Sequence, residues 1–137
     1  EVIWWGPSPS LEATREPYQR LLAQEGKWPA GIGWLAVIDK ATDAIVGDVM
    51  LQPAPFVDGI EVGWHFLPTV WNRGYATEAA AAIVDRAFRK QVLDVVYAAV
   101  ATTNAPSLRV AAKLGLSPVK RFALEGMEHC LFERRAE

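Results

Sequence analysis

Between Ile60 and Thr77 the chain reads IEVGWHFLPTVWNRGYAT, and this stretch holds the residues best able to do chemistry. Glu61 and His65 are two proton acceptors in a run where Ile60, Val62, Trp64 and Phe66 alternate with Glu61, Gly63 and His65. In a strand both acceptors share one face. Either could take a proton from a substrate and pass it through water to solvent, although a strand carboxylate that meets solvent or an arginine has the same appearance. Pro68 ends the run, and Asn72-Arg73-Gly74 leads into an alanine-rich helical pattern. A glycine loop feeding a helix start offers an anion the unpaired N–H groups of the first turn and the positive end of the helix dipole. A phosphate suits that position; a tight turn before a packed helix is the reading without a ligand.

Two familiar phosphate motifs, GxGxxG and GxxxxGK[ST], are absent, which disfavours dinucleotide binding and a phosphate-loop hydrolase. Instead, Trp71-Asn72-Arg73-Gly74-Tyr75-Ala76 resembles the Q/R-x-x-G-x-G/A signature of the GNAT acetyltransferase superfamily, with Trp71 in the Q/R place, Gly74 at the first small position and Ala76 at the second. The longer WNRGYATEA, after a strand ending in FLP, is most similar to the branch that includes the ribosomal-protein N-terminal acetyltransferases, where tryptophan is common at the place of Trp71. A second segment, Asn104-x-x-Ser107 followed by Lys113-Leu114-Gly115-Leu116, resembles the family pattern N-x-x-S/A … K-L-G-F, with leucine for the usual phenylalanine. Read from its residues alone, that segment is a capped helix with a glycine stop.

The resemblance implies acetyl-CoA as co-substrate, lying between two central parallel strands that splay apart. Its pyrophosphate would take backbone N–H groups from Asn72, Arg73, Gly74, Tyr75, Ala76 and Thr77. Its pantetheine would pair like an added strand against Phe66 and Leu67, with Trp71 and Trp64 flanking the acyl site. Asn104 would contact the pantetheine arm and Ser107 would sit near the thioester sulfur. The implied reaction is direct transfer of acetyl to a primary amine, either a protein N-terminal α-amine or a small amine. A lysine amine with pKa about 10.4 is neutral only ~0.04% of the time at pH 7, whereas an α-amine near 8 is neutral about a tenth of the time. The α-amine therefore asks less of its base. Glu61 leads as that base because the family often places a carboxylate on this strand, with His65 the alternative. Many relatives carry a tyrosine that protonates the departing thiolate, but the matching position is Ala111; Ser107 is left to hydrogen-bond the sulfur. A catalytically inactive acyl-CoA-binding module, serving interaction or sensing, is the alternative function.

The elements that must position these groups are legible in outline. A helix is predicted from Ser10, which can cap it, to Gly26, with Leu11, Tyr18, Leu21 and Leu22 on one face. Runs at Trp34–Asp39 and Ile45–Gln52 flank Lys40-Ala41-Thr42-Asp43 as a hairpin. Helical spacing covers Ala79–Lys90, a continuous apolar strand Val95–Ala101 reads as sheet interior, and Asn104 opens a helix that Gly115 closes. A final hairpin, Val119–Leu124 and Glu128–Arg134, turns at Glu125-Gly126. The predicted fold is a mixed, mostly antiparallel α/β sheet with a splayed central parallel pair and helices on both faces. In the resembling family a first strand and short helix precede the segment matching Glu1–Leu22, so the chain looks shortened at its front, with a sheet edge that a second copy could cover.

Composition agrees with one domain over 1–137. Hydrophobic residues make up 51% and charged residues 22%, with a net charge of −2, which suits a folded core and disfavours nonspecific nucleic-acid binding. A charged acceptor would more readily be cationic. The lone Cys130 excludes an internal disulfide framework and reads as a small buried hydrophobe. No HExxH or Cys/His cluster suggests a metal. No apolar run reaches the roughly 20 residues of a membrane helix, and no basic leader is visible, so the cytoplasm is the expected compartment.

Overall fold

The computed structural model describes residues 31–137; the helix predicted from Ser10 and the tryptophan pair Trp4-Trp5 lie outside the described residues. Six strands form one sheet: β1 (Gly33–Asp39), β2 (Ala44–Pro53), β3 (Ile60–Phe66), β4 (Val95–Ala101), β5 (Ser117–Leu124) and β6 (Met127–Arg135). Their order is β1-β2-β3-β4-β6-β5. Every neighbouring pair is antiparallel except β3 and β4, which run parallel. Helix α1 (Tyr75–Arg89) connects that parallel pair and α2 (Ala105–Lys113) follows β4. A parallel pair needs such a crossover, whereas the hairpins need only tight turns.

The turns follow from their residues. Asp39 closes the β1–β2 connection by accepting the Asp43 N–H on its carbonyl and the Ala41 N–H on its carboxylate, at 2.7 and 2.8 Å. Glu125 and Gly126, with φ of 52° and 77°, make the two-residue β5–β6 turn whose left-handed residues match the strand twist. Asn104 caps α2 by accepting the Ser107 N–H at 3.2 Å, and Gly115 ends it in the left-handed conformation. The Leu116 N–H then returns to the Ala111 carbonyl and the Gly115 N–H to that of Ala112, which satisfies two orphan helix-end carbonyls. Helix α1 closes in the same pattern through Gln91 and Val92, and it begins at Tyr75, one turn before the Ala79 that periodicity suggests, because Gly74 turns directly into it.

Both described helices pack on one face of the sheet. Val49, Leu51, Val62, Val96, Ala98 and Val100 from the strands meet Ala80, Val84, Ala87, Ala111 and Leu114 in a single buried cluster. Alanines at the contact let α1 lie close to the strands. Arg134 locks the helix ends to β6: it donates to the Leu114 carbonyl at 3.2 Å and to Asp85 at 3.1 Å, and lies over the Phe88 ring. On the opposite face of β4, Val95, Tyr97 and Ala99 are only partly buried, so the continuous apolar run marks an interior strand with one fully covered side. Cys130 is partly buried beside the core, as its sequence context suggests.

Gly47 on β2 sits opposite Phe66. A Cβ there would collide with the His65 carbonyl oxygen and come within 2.6 Å of Phe66 Cδ1. Gly47→Ala is expected to lower unfolding free energy by about 1–3 kcal/mol in chemical denaturation; a variant as stable as the parent would show that β2 and β3 are not in this register.

Candidate active site

The site begins with a gap in the sheet. Strands β3 and β4 share one register pair, Glu61 with Tyr97. Beyond it β3 stays paired to β2 as far as Phe66 opposite Gly47, and β4 stays paired to β6 as far as Ala101 opposite His129. The two strands therefore diverge from an apex at Glu61, and the splay that the family resemblance implies is present. Both helices start at the open end of the wedge, since α1 follows β3 and α2 follows β4. A crevice outside the carboxyl ends of parallel strands, rimmed by helix N-termini, is the usual ligand position in such sheets.

At that mouth the Trp71–Thr77 segment has the form an anion requires. Asn72 and Gly74 are left-handed, at φ 61° and 83°, and no side chain caps α1. The first-turn N–H groups of α1 thus keep their donors for something other than a capping side chain. An added Cβ on Gly74 would meet no atom of the described residues within 4 Å, so among them the residue faces open space and its absent side chain leaves room for a ligand. Two cations border the loop: Arg73 lies 5.2 Å over the Tyr75 ring, and Arg109 from α2 donates to the Asn72 side chain at 3.4 Å. Glu78 in the first turn and Asp39, which accepts from the Tyr75 hydroxyl, carry the opposite sign there. Donors, space and flanking arginines fit a phosphorylated carrier such as acetyl-CoA.

The predicted pantetheine contacts are differently placed. The Phe66 carbonyl accepts the Trp71 indole N–H at 2.8 Å, and the Leu67 N–H donates to the Val46 carbonyl at 2.9 Å. An arm pairing here must use the second lone pair of the Phe66 oxygen or displace Trp71. Across the wedge, the Trp64 indole donates to Ser107 Oγ at 3.3 Å. Accepting that bond leaves the serine its own O–H to give. Asn104 spends its side-chain oxygen on the α2 cap and retains its amide donors. Ala111 is wholly buried in the core, so a tyrosine would not fit at that position without repacking.

The two candidate bases sit on the sheet face opposite the helices. Glu61 is 5% exposed and accepts from Gln52 Nε2 at 2.7 Å; Gln52 in turn accepts from the Trp34 indole at 3.0 Å. His65 lies nearer the mouth, bonded through Nδ1 to Asp48 at 2.8 Å, with its ring stacked on Trp34. Sequence reasoning missed Trp34, Asp48 and Gln52. Asp48 and Gln52 do share the alternation of their strand, but only the register, which sets them opposite His65 and Glu61, reveals the pairing.

Sequence reasoning also missed Asp39, which holds the start of α1. The Tyr75 hydroxyl donates to its carboxylate at 2.8 Å. The Ala41 N–H first, and then that hydroxyl, keep the Asp39 carboxyl below its ordinary range, while Asp39 pushes the Tyr75 phenol up. A depressed carboxylate contributes stability above its unfolded value and loses it as pH falls; a raised phenol contributes below its unfolded value and loses it as pH rises. The melting-temperature gap between the parent and Tyr75→Phe should therefore be widest between about pH 5 and 9 and close toward both extremes. A gap that stays constant from about pH 2 to about pH 11 in scanning calorimetry would dissociate the pair from helix stability.

Among the described residues, no helix is long and apolar enough to cross a membrane, and no group of His, Cys, Asp and Glu could hold a metal.

Comparison with known proteins places this geometry. Residues 1–117 match the family model for the acetyltransferase (GNAT) domain. The uncharacterised N-acetyltransferase YnaD of Bacillus subtilis is 35% identical over 80 residues, 58% of this chain and 47% of its own length. A solved Bordetella pertussis chain named for the GNAT family superposes with a TM-score of 0.77 at 29% identity, covering 88% of this chain and 76% of its own. The structure of yncA from Salmonella typhimurium with acetyl-CoA, 18% identical, shares the fold at a TM-score of 0.70 over 88% of this chain and 73% of its own. The chain spans about half the length of the curated relatives it matches, 47% and 60% for two from Bacillus subtilis. With the signature loop, the splayed strands and a family match over most of its residues, the chain belongs to the GNAT acetyltransferase domain family.

Proposed function

We propose that this chain transfers an acetyl group from acetyl-CoA to a primary amine, with a protein N-terminal α-amine as the favoured acceptor and a small amine as the other. The observation that carries the reading is the uncapped start of α1 beside the β3–β4 gap, with Gly74 facing open space. Acetyl-CoA, when bound, supplies an acyl group activated as a thioester. The chain's own residues supply the rest. Amides of the Asn72–Thr77 loop bind the diphosphate, helped by Arg73. Trp71, Phe66, Leu67 and Asn104 border the arm. Glu61, or His65 with Asp48 behind it, accepts the proton that the amine must lose, and the Ser107 hydroxyl donates toward the sulfur. The α-amine preference rests on its lower pKa, which leaves less work for a single carboxylate or imidazole, and on the likeness of WNRGYATEA to the ribosomal-protein branch.

Isothermal titration with coenzyme A and acetyl-CoA, followed by thiol release across a panel of peptides and polyamines, tests the proposal. Binding with turnover on peptide α-amines is expected, and Gly74→Val should abolish both, because a β-branched residue is strained at φ 83° and its side chain enters the phosphate space. Binding without turnover on any amine would leave the chain a carrier-binding module. Ser107→Ala is expected to lower kcat about tenfold while leaving acetyl-CoA affinity nearly unchanged; unchanged turnover would remove Ser107 from the chemistry.

A further inference from the structure

On the face of β1–β3 opposite the two described helices, three cross-strand rows lie side by side: Asp48 opposite His65, Met50 opposite Gly63, and Gln52 opposite Glu61. Trp34 of β1 pairs with Met50 in the middle row yet touches both flanking rows. Its ring stacks on His65 with centroids 5.7 Å apart and planes 10° from parallel. Its indole N–H reaches the other way, to Gln52 Oε1 at 3.0 Å, and Gln52 Nε2 reaches Glu61 Oε1 at 2.7 Å. Gly63 makes the arrangement possible, since a side chain there would collide with the end of Met50.

We propose that Trp34 is a positioning residue for Glu61, acting through Gln52; the proposal rests on the reading of Glu61 as the proton acceptor. A glutamine amide can face either way, because its oxygen and nitrogen ends are nearly the same shape. Here Trp34 and Glu61 dictate the same choice. The indole is a donor only and demands the amide oxygen; an ionised carboxylate is an acceptor only and demands the amide nitrogen. Turning the amide over would set N–H against N–H at one end and oxygen against oxygen at the other. Trp34 is itself held from turning by the stack on His65, which Asp48 pins at 2.8 Å. The chain Asp48, His65, Trp34, Gln52, Glu61 thus ends in a donor aimed at one carboxylate oxygen. It aligns that group at the apex of the β3–β4 wedge and favours its ionised form.

Other described titratable groups share this face of the sheet. Tyr97 of β4 is its register partner, and beyond Tyr97 on β6 stands Glu133, itself 3.6 Å from Arg135. His129 lies on the same face of β6, opposite Ala101 at the far end of β4. Along β3 the next titratable group on this face is His65.

The test uses the full chain with two substitutions. Gln52→Met removes the donor and keeps the length; Trp34→Phe keeps a ring on His65 and deletes the indole N–H. The Glu61 carboxyl is followed by 13C NMR against pH, assigned with Glu61→Gln, alongside kcat/KM with one fixed peptide amine. Gln52→Met should raise the Glu61 titration by about one unit and lower kcat/KM about tenfold at acidic pH, with little change in acetyl-CoA affinity. Trp34→Phe should move both in the same direction by a smaller amount. If both variants fold and leave the carboxyl titration in place, the positioning role is overturned, whatever happens to the rate. If Glu61→Gln retains parental kcat/KM across pH, the base itself is misassigned, and that failure is separate, because the NMR titration still reports whether Trp34 and Gln52 govern the carboxylate.

Discussion

The single register pair between β3 and β4 is the constraint on which the rest of this molecule depends. Two parallel strands in mid-sheet would ordinarily continue their ladder; here, past Glu61 and Tyr97, each stays paired with its outer neighbour alone. An interior gap leaves backbone polar groups that must find partners. The local answers are those of the site. Trp71 satisfies the Phe66 carbonyl, and the Trp64 side chain bridges the gap to Ser107. Because the same divergence brings both helix starts to one mouth, the proposed phosphate donors, the proposed arm contacts and the serine gather without any long loop.

The two sides of the sheet divide the labour. The helix side is alanine- and valine-rich and fixes the wedge by close packing, with Ala111 and Ala80 wholly buried. The other side carries polar pairs set directly opposite one another, Asp48 with His65 and Gln52 with Glu61. Each is a cross-strand pair of acceptor and donor, in which a register slip by one residue would move every member to the wrong face. The register that Gly47 enforces is therefore also the register that assembles the proposed proton acceptors.

Much of this was legible in the residues and some of it was not. Alternation around Glu61 and His65 fixed strand and face, and glycine and asparagine at helix ends located α2 and the loop before α1, because those signals act within a few residues of chain. The partners of Glu61 and His65 were invisible because they depend on which residue of β2 stands opposite, which in turn depends on how neighbouring strands align. Asp39 and Tyr75 are separated by 36 positions, and no local pattern links them. The occupied backbone of Phe66 and Leu67 was likewise beyond reach, since a carbonyl's partner leaves no mark on its side chain. That both described helices share one face follows from the crossover geometry rather than from either helix's own periodicity.

Trp71, half exposed with its indole N–H on the Phe66 carbonyl, has a consequence for how an acyl carrier would be sensed. If a pantetheine amide takes that carbonyl, one donor is exchanged for another of similar strength, and the swap contributes almost nothing to affinity. What it changes is the indole's surroundings, and with them its emission colour: occupancy of the wedge would be written into the fluorescence of a side chain that does little to bring occupancy about.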